Sequence, residues 1–190
     1  MLLSPIRHTP PSPSLQWQEN TRGNQQLNAA GWRFVVFPNV RKKGYWSVHV
    51  NHEDLEGGFY LTQTWPDPEK AQRYVERLFL TGDPKTRLNR HLNRFEKLSK
   101  ELDNDLFYAA TANHWNGQQQ RRSENSIAKK QSEARGLLIA IGCEELQKVT
   151  EQLWSSVLWY AHNYRNRGDP TGPLREPQQH LIQELRSQRR

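Results

Sequence analysis

Four residues of metal-ligating or acid–base type stand close together in this chain: His49, His52, Glu53 and Asp54. Imidazole and carboxylate groups suit a divalent ion. His49 falls in a strand-like run, however, and the other three in the polar stretch after it, so their spacing fixes no coordination geometry. The sequence assigns no metal there. The Gly57–Gly58 pair lacks the Lys and Ser/Thr that complete a phosphate-binding loop. Cys143, the single cysteine, sits in an apolar helical context and reads as a small buried hydrophobe rather than a nucleophile. One thiol makes neither an internal disulfide nor a zinc cluster, which favours a reducing compartment. No nucleophile elbow is present. The expectation is a protein that is not an enzyme and takes no cofactor.

What remains is the chemistry of positive charge. Formal net charge is +7, and 84–135 carry most of it, with eleven Lys/Arg against six Asp/Glu. Within that stretch Arg87, Arg90, Arg94 and Lys97 recur at helical spacing and so share one face. Such a stripe can follow a phosphate backbone, each contact adding salt-dependent affinity through counterion release. The competing reading is a solvated helix face partly neutralised by Glu96, Glu101, Asp103 and Asp105. A second basic group, Arg41-Lys42-Lys43, lies between two strand-like runs.

Those groups need elements to hold them. Trp32–Phe37 reads as a first strand, stopped by Pro38. Tyr45–Val50 reads as a second, in which Trp46, Val48 and Val50 alternate with Tyr45, Ser47 and His49, the period of a strand with one buried face. Phe59–Trp65 reads as a third, ended by Pro66 and Pro68. A helix then starts near Asp67, with Ala71, Tyr74, Val75 and Leu78 on its apolar face, and closes at Gly82 and Pro84. One sheet face packs on this helix. The other carries Arg33, Tyr45, Ser47 and His49, with Tyr60, Thr62 and Thr64, beside the Arg41–Lys43 loop. Arg33, Arg41, Lys42, Lys43, Tyr45 and His49 are therefore candidate nucleic-acid contacts, with Arg87, Arg90, Arg94 and Lys97 as phosphate contacts.

The strand-strand-strand-helix order, with Gly44-Tyr45-Trp46 opening the second strand and Thr64–Ala71 leading into the helix, resembles AP2-like DNA-binding domains, in particular the arm-binding domains of phage integrases. The resemblance covers about a quarter of the chain. It implies double-stranded DNA read through the exposed sheet face, in a regulatory or mobile-element accessory role. Two features depart from the pattern: a long Pro-rich strand-to-helix junction and an acidic loop over Asn51–Glu56. His91-Leu92-Asn93-Arg94 has the His-x-x-Arg spacing of tyrosine recombinases, but the chain has no room for the rest of that catalytic domain. The competing reading is a generic α+β module whose second sheet face packs on the helical half.

The full expectation is an α+β fold: a small three-stranded antiparallel sheet packed by one helix, followed by an antiparallel hairpin of long helices. Met1–Gly31, rich in Pro, Ser, Gln and Asn, is expected to be a mobile arm. Residues 32–82 form the sheet module and 84–167 the helical domain. Its first helix runs from Pro84 to about Ala112. A polar break follows over His114–Ser123, and the second helix runs from Glu124 to about Tyr164, weakened at Gly136 and Gly142. Residues 168–190 read as linker and basic tail: Gly168–Pro177 is the linker, and Gln178–Arg190 forms either a short helix or a frayed basic end. No apolar run reaches the ~20 residues of a membrane helix, and the expected location is cytoplasmic, nucleoid-associated if DNA is bound. DNA is favoured over RNA as partner. The alternative is an assembly protein, in which the helices, through Trp154–Tyr164 and the two glycines, dock on a protein partner or on a second copy.

Overall fold

A computed structural model describes residues 15–55, 57–111, 117–163 and 172–187. Its sheet has five antiparallel strands rather than three, in the order β1-β2-β3-β4-β5: Gln18–Glu19, Gln25–Ala29, Trp32–Pro38, Trp46–His52 and Phe59–Tyr60. The two additional strands come from the segment expected to be a mobile arm. Ala30 and Gly31 both take positive φ, 52° and 78°, and make the tight two-residue turn that reverses β2 into β3. β2 then pairs along its whole length, and its one large apolar residue, Leu27, sits opposite Phe34 in the core.

β5 is shorter than the expected Phe59–Trp65. Leu61 still donates to Val48, but the next amide, Thr62, donates instead to the Glu133 carboxylate. The ladder resumes only as an isolated bridge between Trp46 and Trp65.

Alternation divides the sheet cleanly. Trp32, Phe34, Val36, Val48, Val50 and Phe59 are buried on one face. Helix α1, Pro68–Val75, packs on β3 and β4 from that side. Asp67 caps it by accepting from the Lys70 amide at 2.7 Å, and Pro68 opens its first turn. A π-helical turn, Glu76–Leu80, continues α1 and swings Phe79 under the sheet, 4.9 Å from the Trp32 ring and 5.3 Å from Phe34.

Helix α2 spans Pro84–Thr111, close to the expected bounds. The second long helical segment is two helices. α3 (Gly117–Ile141) and α4 (Glu144–Asn163) are separated at Gly142, whose φ is +70°. α3 runs unbroken through Gly136. That glycine is the point where α3 meets β5, and a Cβ there would overlap the Phe59 ring.

The expected C-terminal linker contains helix α5, Gly172–Ser187, with Pro177 inside it. Docking outweighs the lost hydrogen bond. Arg175 pairs with Asp103 at 2.9 Å and Arg186 with Glu96 at 2.7 Å. Between them Ile182 is buried, and Gln178 links Ser99 to Thr150. One hydrophobic cluster runs through sheet and helices alike. Among the described residues, no helix is long and apolar enough to cross a membrane.

Candidate nucleic-acid interface

The register builds the second sheet face row by row. Gln26, Val35, His49 and Tyr60 stand side by side across four strands, with Asn28, Arg33 and Asn51 in one neighbouring row and Phe37 and Ser47 in the other. Arg33 and Tyr60 are exposed, and Gln26, Val35, Phe37 and His49 are half-buried. No helix among the described residues covers these side chains. The helical half docks on the opposite face, so the packed arrangement weighed from sequence is not the one found.

The floor is aromatic at one side. The His49 and Tyr60 rings lie 4.7 Å apart and Tyr60 meets Phe37 edge-on at 6.0 Å. Gly58 lies so close beneath His49 that any side chain there would displace the imidazole. The Gly57–Gly58 pair thus permits a close approach instead of cradling phosphate. Burial, and secondarily the charge of Arg33, hold His49 below the usual imidazole range, so it is neutral at pH 7. It offers a ring and a hydrogen bond, not a positive charge. Arg33 donates to Gln26 Oε1 at 3.1 Å across the β2–β3 pair. The β1–β2 turn, with Asn20, Arg22 and Asn24, forms a wall, and the enclosed groove measures about 780 Å³.

The Arg41–Lys43 loop is firmly shaped. Asn39 Oδ1 accepts from the amides of Arg41 and Lys42 at 2.9 and 2.8 Å, and its Nδ2 donates to Ser47 Oγ at 2.8 Å. Gly44, at φ +78°, lets the chain return into β4. Lys42 Nζ stands 3.4 Å above the centre of the Tyr45 ring, a cation–π contact. Arg41, Lys42 and Lys43 are all exposed. Arg41 is also near enough to α3 to add to burial in depressing the Lys129 pKa.

Antiparallel connectivity gives this face two unlike ends. The β1–β2 turn and the β3–β4 loop emerge at the same end, so Arg22 and Arg41–Lys43 share it. The β2–β3 turn and the β4–β5 loop emerge at the other end, with Glu53 and Asp54. Of the acidic Asn51–Glu56 stretch, read from sequence as a departure from the DNA-binding pattern, the described part, with Glu53 and Asp54, is thus a full strand length away from the basic loop.

The α2 stripe is used differently from the expectation. Arg87 donates to the carbonyls of Leu80 and Gly82, and Arg90 to those of Arg77 and Thr81, closing the end of the π-helical turn. Arg94 is 11% exposed; it contacts the fully buried carboxylate of Glu133 at 2.6 Å and donates to Thr62 Oγ1 at 2.7 Å. Only Lys97 stands exposed. Sequence spacing located the face but not the polar groups waiting opposite it.

The remaining candidates disperse. His52 stacks on Trp32 at 4.3 Å and accepts from the Asp54 amide, on the sheet face opposite to His49. Among the described residues no three His, Cys, Asp or Glu are gathered as for a metal ion. Cys143 packs partly buried against the core at the α3–α4 break. Trp154 is a core residue, 2% exposed. The side chains of Trp159, Tyr160 and Tyr164 lie outside the described residues, as do Arg189 and Arg190. Searched against family models, curated proteins and solved structures, the chain matches none.

Proposed function

We propose that the protein is a non-catalytic nucleic-acid-binding protein that uses the uncovered sheet face and its basic end. The observation that carries this reading is the pairing of that face with its loop. Phe37, His49 and Tyr60 are presented together with Val35 on a face otherwise polar, and four cations, Arg22 and Arg41–Lys43, stand at one end of it. Aromatic rings meet bases, and exposed Lys/Arg meet phosphates. Arg33, Arg41, Lys42, Lys43, Tyr45 and His49 keep the role expected from sequence, and Arg22, Phe37 and Tyr60 join them. Arg87, Arg90 and Arg94 are assigned to holding the fold. The β3-β4-β5-α1 succession is the order on which the likeness to AP2-like domains rests, and a regulatory or mobile-element accessory role follows from that likeness alone.

The test is a salt series of binding to a labelled oligonucleotide, comparing the wild type with an Arg41/Lys42/Lys43→Ala variant and with Lys97→Ala. Each lost phosphate contact lowers the slope of log affinity on log salt by roughly 0.7–0.9. The loop variant is expected to lose about two units of slope and Lys97→Ala essentially none. An unchanged slope in the loop variant would remove the loop from the interface. No binding at low salt would overturn the reading.

A further inference from the structure

We infer that the nucleic acid held by this face is single-stranded DNA, its bases stacked on the Tyr60–His49–Phe37 floor and its phosphates turned towards Arg22 and Arg41–Lys43. The inference rests on the reading just given and narrows it.

Three features argue for an unpaired strand. The first is width. Five strands span about 19 Å at about 4.8 Å per step, whereas a B-DNA major groove is about 12 Å wide. A three-stranded ribbon of the kind expected from sequence fits such a groove; the sheet widened by β1 and β2 does not lie flat in it. The second is the chemistry of the floor. Reading a duplex needs donors and acceptors aimed at base edges; the face holds Gln26, Asn28, Arg33 and Asn51, but Arg33 is bonded to Gln26, and beside them lie Val35 and Phe37 with the rings of Tyr60 and a neutral His49. Rings stack on base faces, and a base offers its face only when it has left the duplex. The third is the one-sided charge. Four cations stand at one end of the face, with the Glu19 carboxylate of the groove wall among them, and Glu53 and Asp54 stand at the other, which suits one phosphate backbone passing the basic end rather than two backbones flanking a groove.

Deoxyribose is preferred over ribose because a sugar between the stacked bases would rest on the apolar Val35. A 2′-hydroxyl pressed there would lose its water without gaining a partner.

Binding of the same sequence as single-stranded DNA, duplex DNA and RNA tests this. Wild type is compared with Tyr60→Ala and Tyr60→Phe; Tyr60 is 47% exposed, so truncation leaves the core intact, and circular dichroism checks the fold. A 2-aminopurine base in the DNA reports stacking by fluorescence quenching. The expected result is tightest binding to single-stranded DNA, with quenching, a loss of about tenfold or more in Tyr60→Ala and retention in Tyr60→Phe. Tighter duplex binding, or a harmless Tyr60→Ala, would overturn the single-strand inference. The salt slope of the Arg41/Lys42/Lys43→Ala variant would still report separately whether this face binds nucleic acid. Tighter RNA binding would overturn the choice of DNA. Absence of binding to all three would overturn this inference together with the reading beneath it.

Discussion

Glu133 is wholly buried, and three groups answer its charge or share its contacts: the Arg94 guanidinium, the Thr62 amide and, through Arg94, the Thr62 hydroxyl. Removing one partner of a buried pair leaves the other charge unsolvated, which costs about 3–5 kcal/mol. Arg94→Ala is therefore expected to lower the denaturation midpoint sharply. A double Arg94→Met/Glu133→Leu change, which removes both charges, should recover much of that loss. If Arg94 instead served mainly to hold phosphate, Arg94→Ala would weaken binding with little change in stability. His91 gives a second residue-level expectation. It is 5% exposed, packed 5.3 Å from Phe79, and burial depresses its pKa to about 4 against a weak opposing contact from the Leu78 backbone. The unfolded chain thus binds a proton that the folded chain refuses. The stability His91 contributes is present above pH 6.5 and is lost as pH falls from 6.5 towards 4, on the order of 3 kcal/mol in all. His91→Leu should flatten stability against pH across that window; an unchanged slope would show that His91 is not the group responsible. Neither role was legible from sequence. The spacing Arg87-Arg90-Arg94-Lys97 correctly put four cations on one helical face, but the carbonyls that take Arg87 and Arg90 are exposed by the π-helical turn just before α2, and the carboxylate that takes Arg94 comes from α3, distant in the chain. His91 likewise looked like one more basic residue in the stripe.

Elements were more legible than their partners. α1 and α2 were readable because Asp-Pro begins each and an apolar face runs through it; Asp83 accepts from the Thr86 amide at 3.0 Å as Asp67 does from Lys70. β3 and β4 were readable from alternation. β2 was not, because Gln25–Ala29 offers one large apolar residue and reverses through Ala30–Gly31 instead of a stronger Asn-Gly signal. α5 was half legible: a short helix from Gln178 was one of two readings, but its start at Gly172 was masked by prolines, and what stabilises it is contact with α2 and α4, which no local pattern reveals. Gly136 shows the same limit. Its sequence context indicated a weak point in a helix or a close approach, and the neighbour proved to be Phe59 of β5. Gly136→Ala should accordingly destabilise by about 1–3 kcal/mol through overpacking. Pairing it with Phe59→Leu should return part of the loss. A Gly136→Ala protein as stable as wild type, by thermal unfolding, would mean that the α3–β5 contact is looser than described.

At the scale of the molecule, the helices gather behind one face of the sheet and leave the other open, with its cations at one end and its carboxylates at the other. The sequence put the excess charge in 84–135, and by number it is there. Five of that segment's eleven cations, Arg87, Arg90, Arg94, Lys130 and Arg135, are held by internal partners, while Lys85, Lys97, Lys100, Arg121 and Arg122 stand exposed away from the sheet residues of the proposed surface. The smaller Arg41–Lys43 group, in a segment of almost balanced charge, is the one left facing solvent beside aromatic rings. The candidate face was therefore legible as a list of strand residues, while its width, its basic end and its separation from α2 depended on β1, β2 and the buried carboxylate. The most direct measurement of the central claim is ultraviolet cross-linking of the wild-type protein to a bound single-stranded oligonucleotide, with adducts located by mass spectrometry. Adducts concentrated on Phe37, Tyr45 and Tyr60 are the predicted result. Adducts confined to α2 or α4, with the sheet face unmodified, would contradict it.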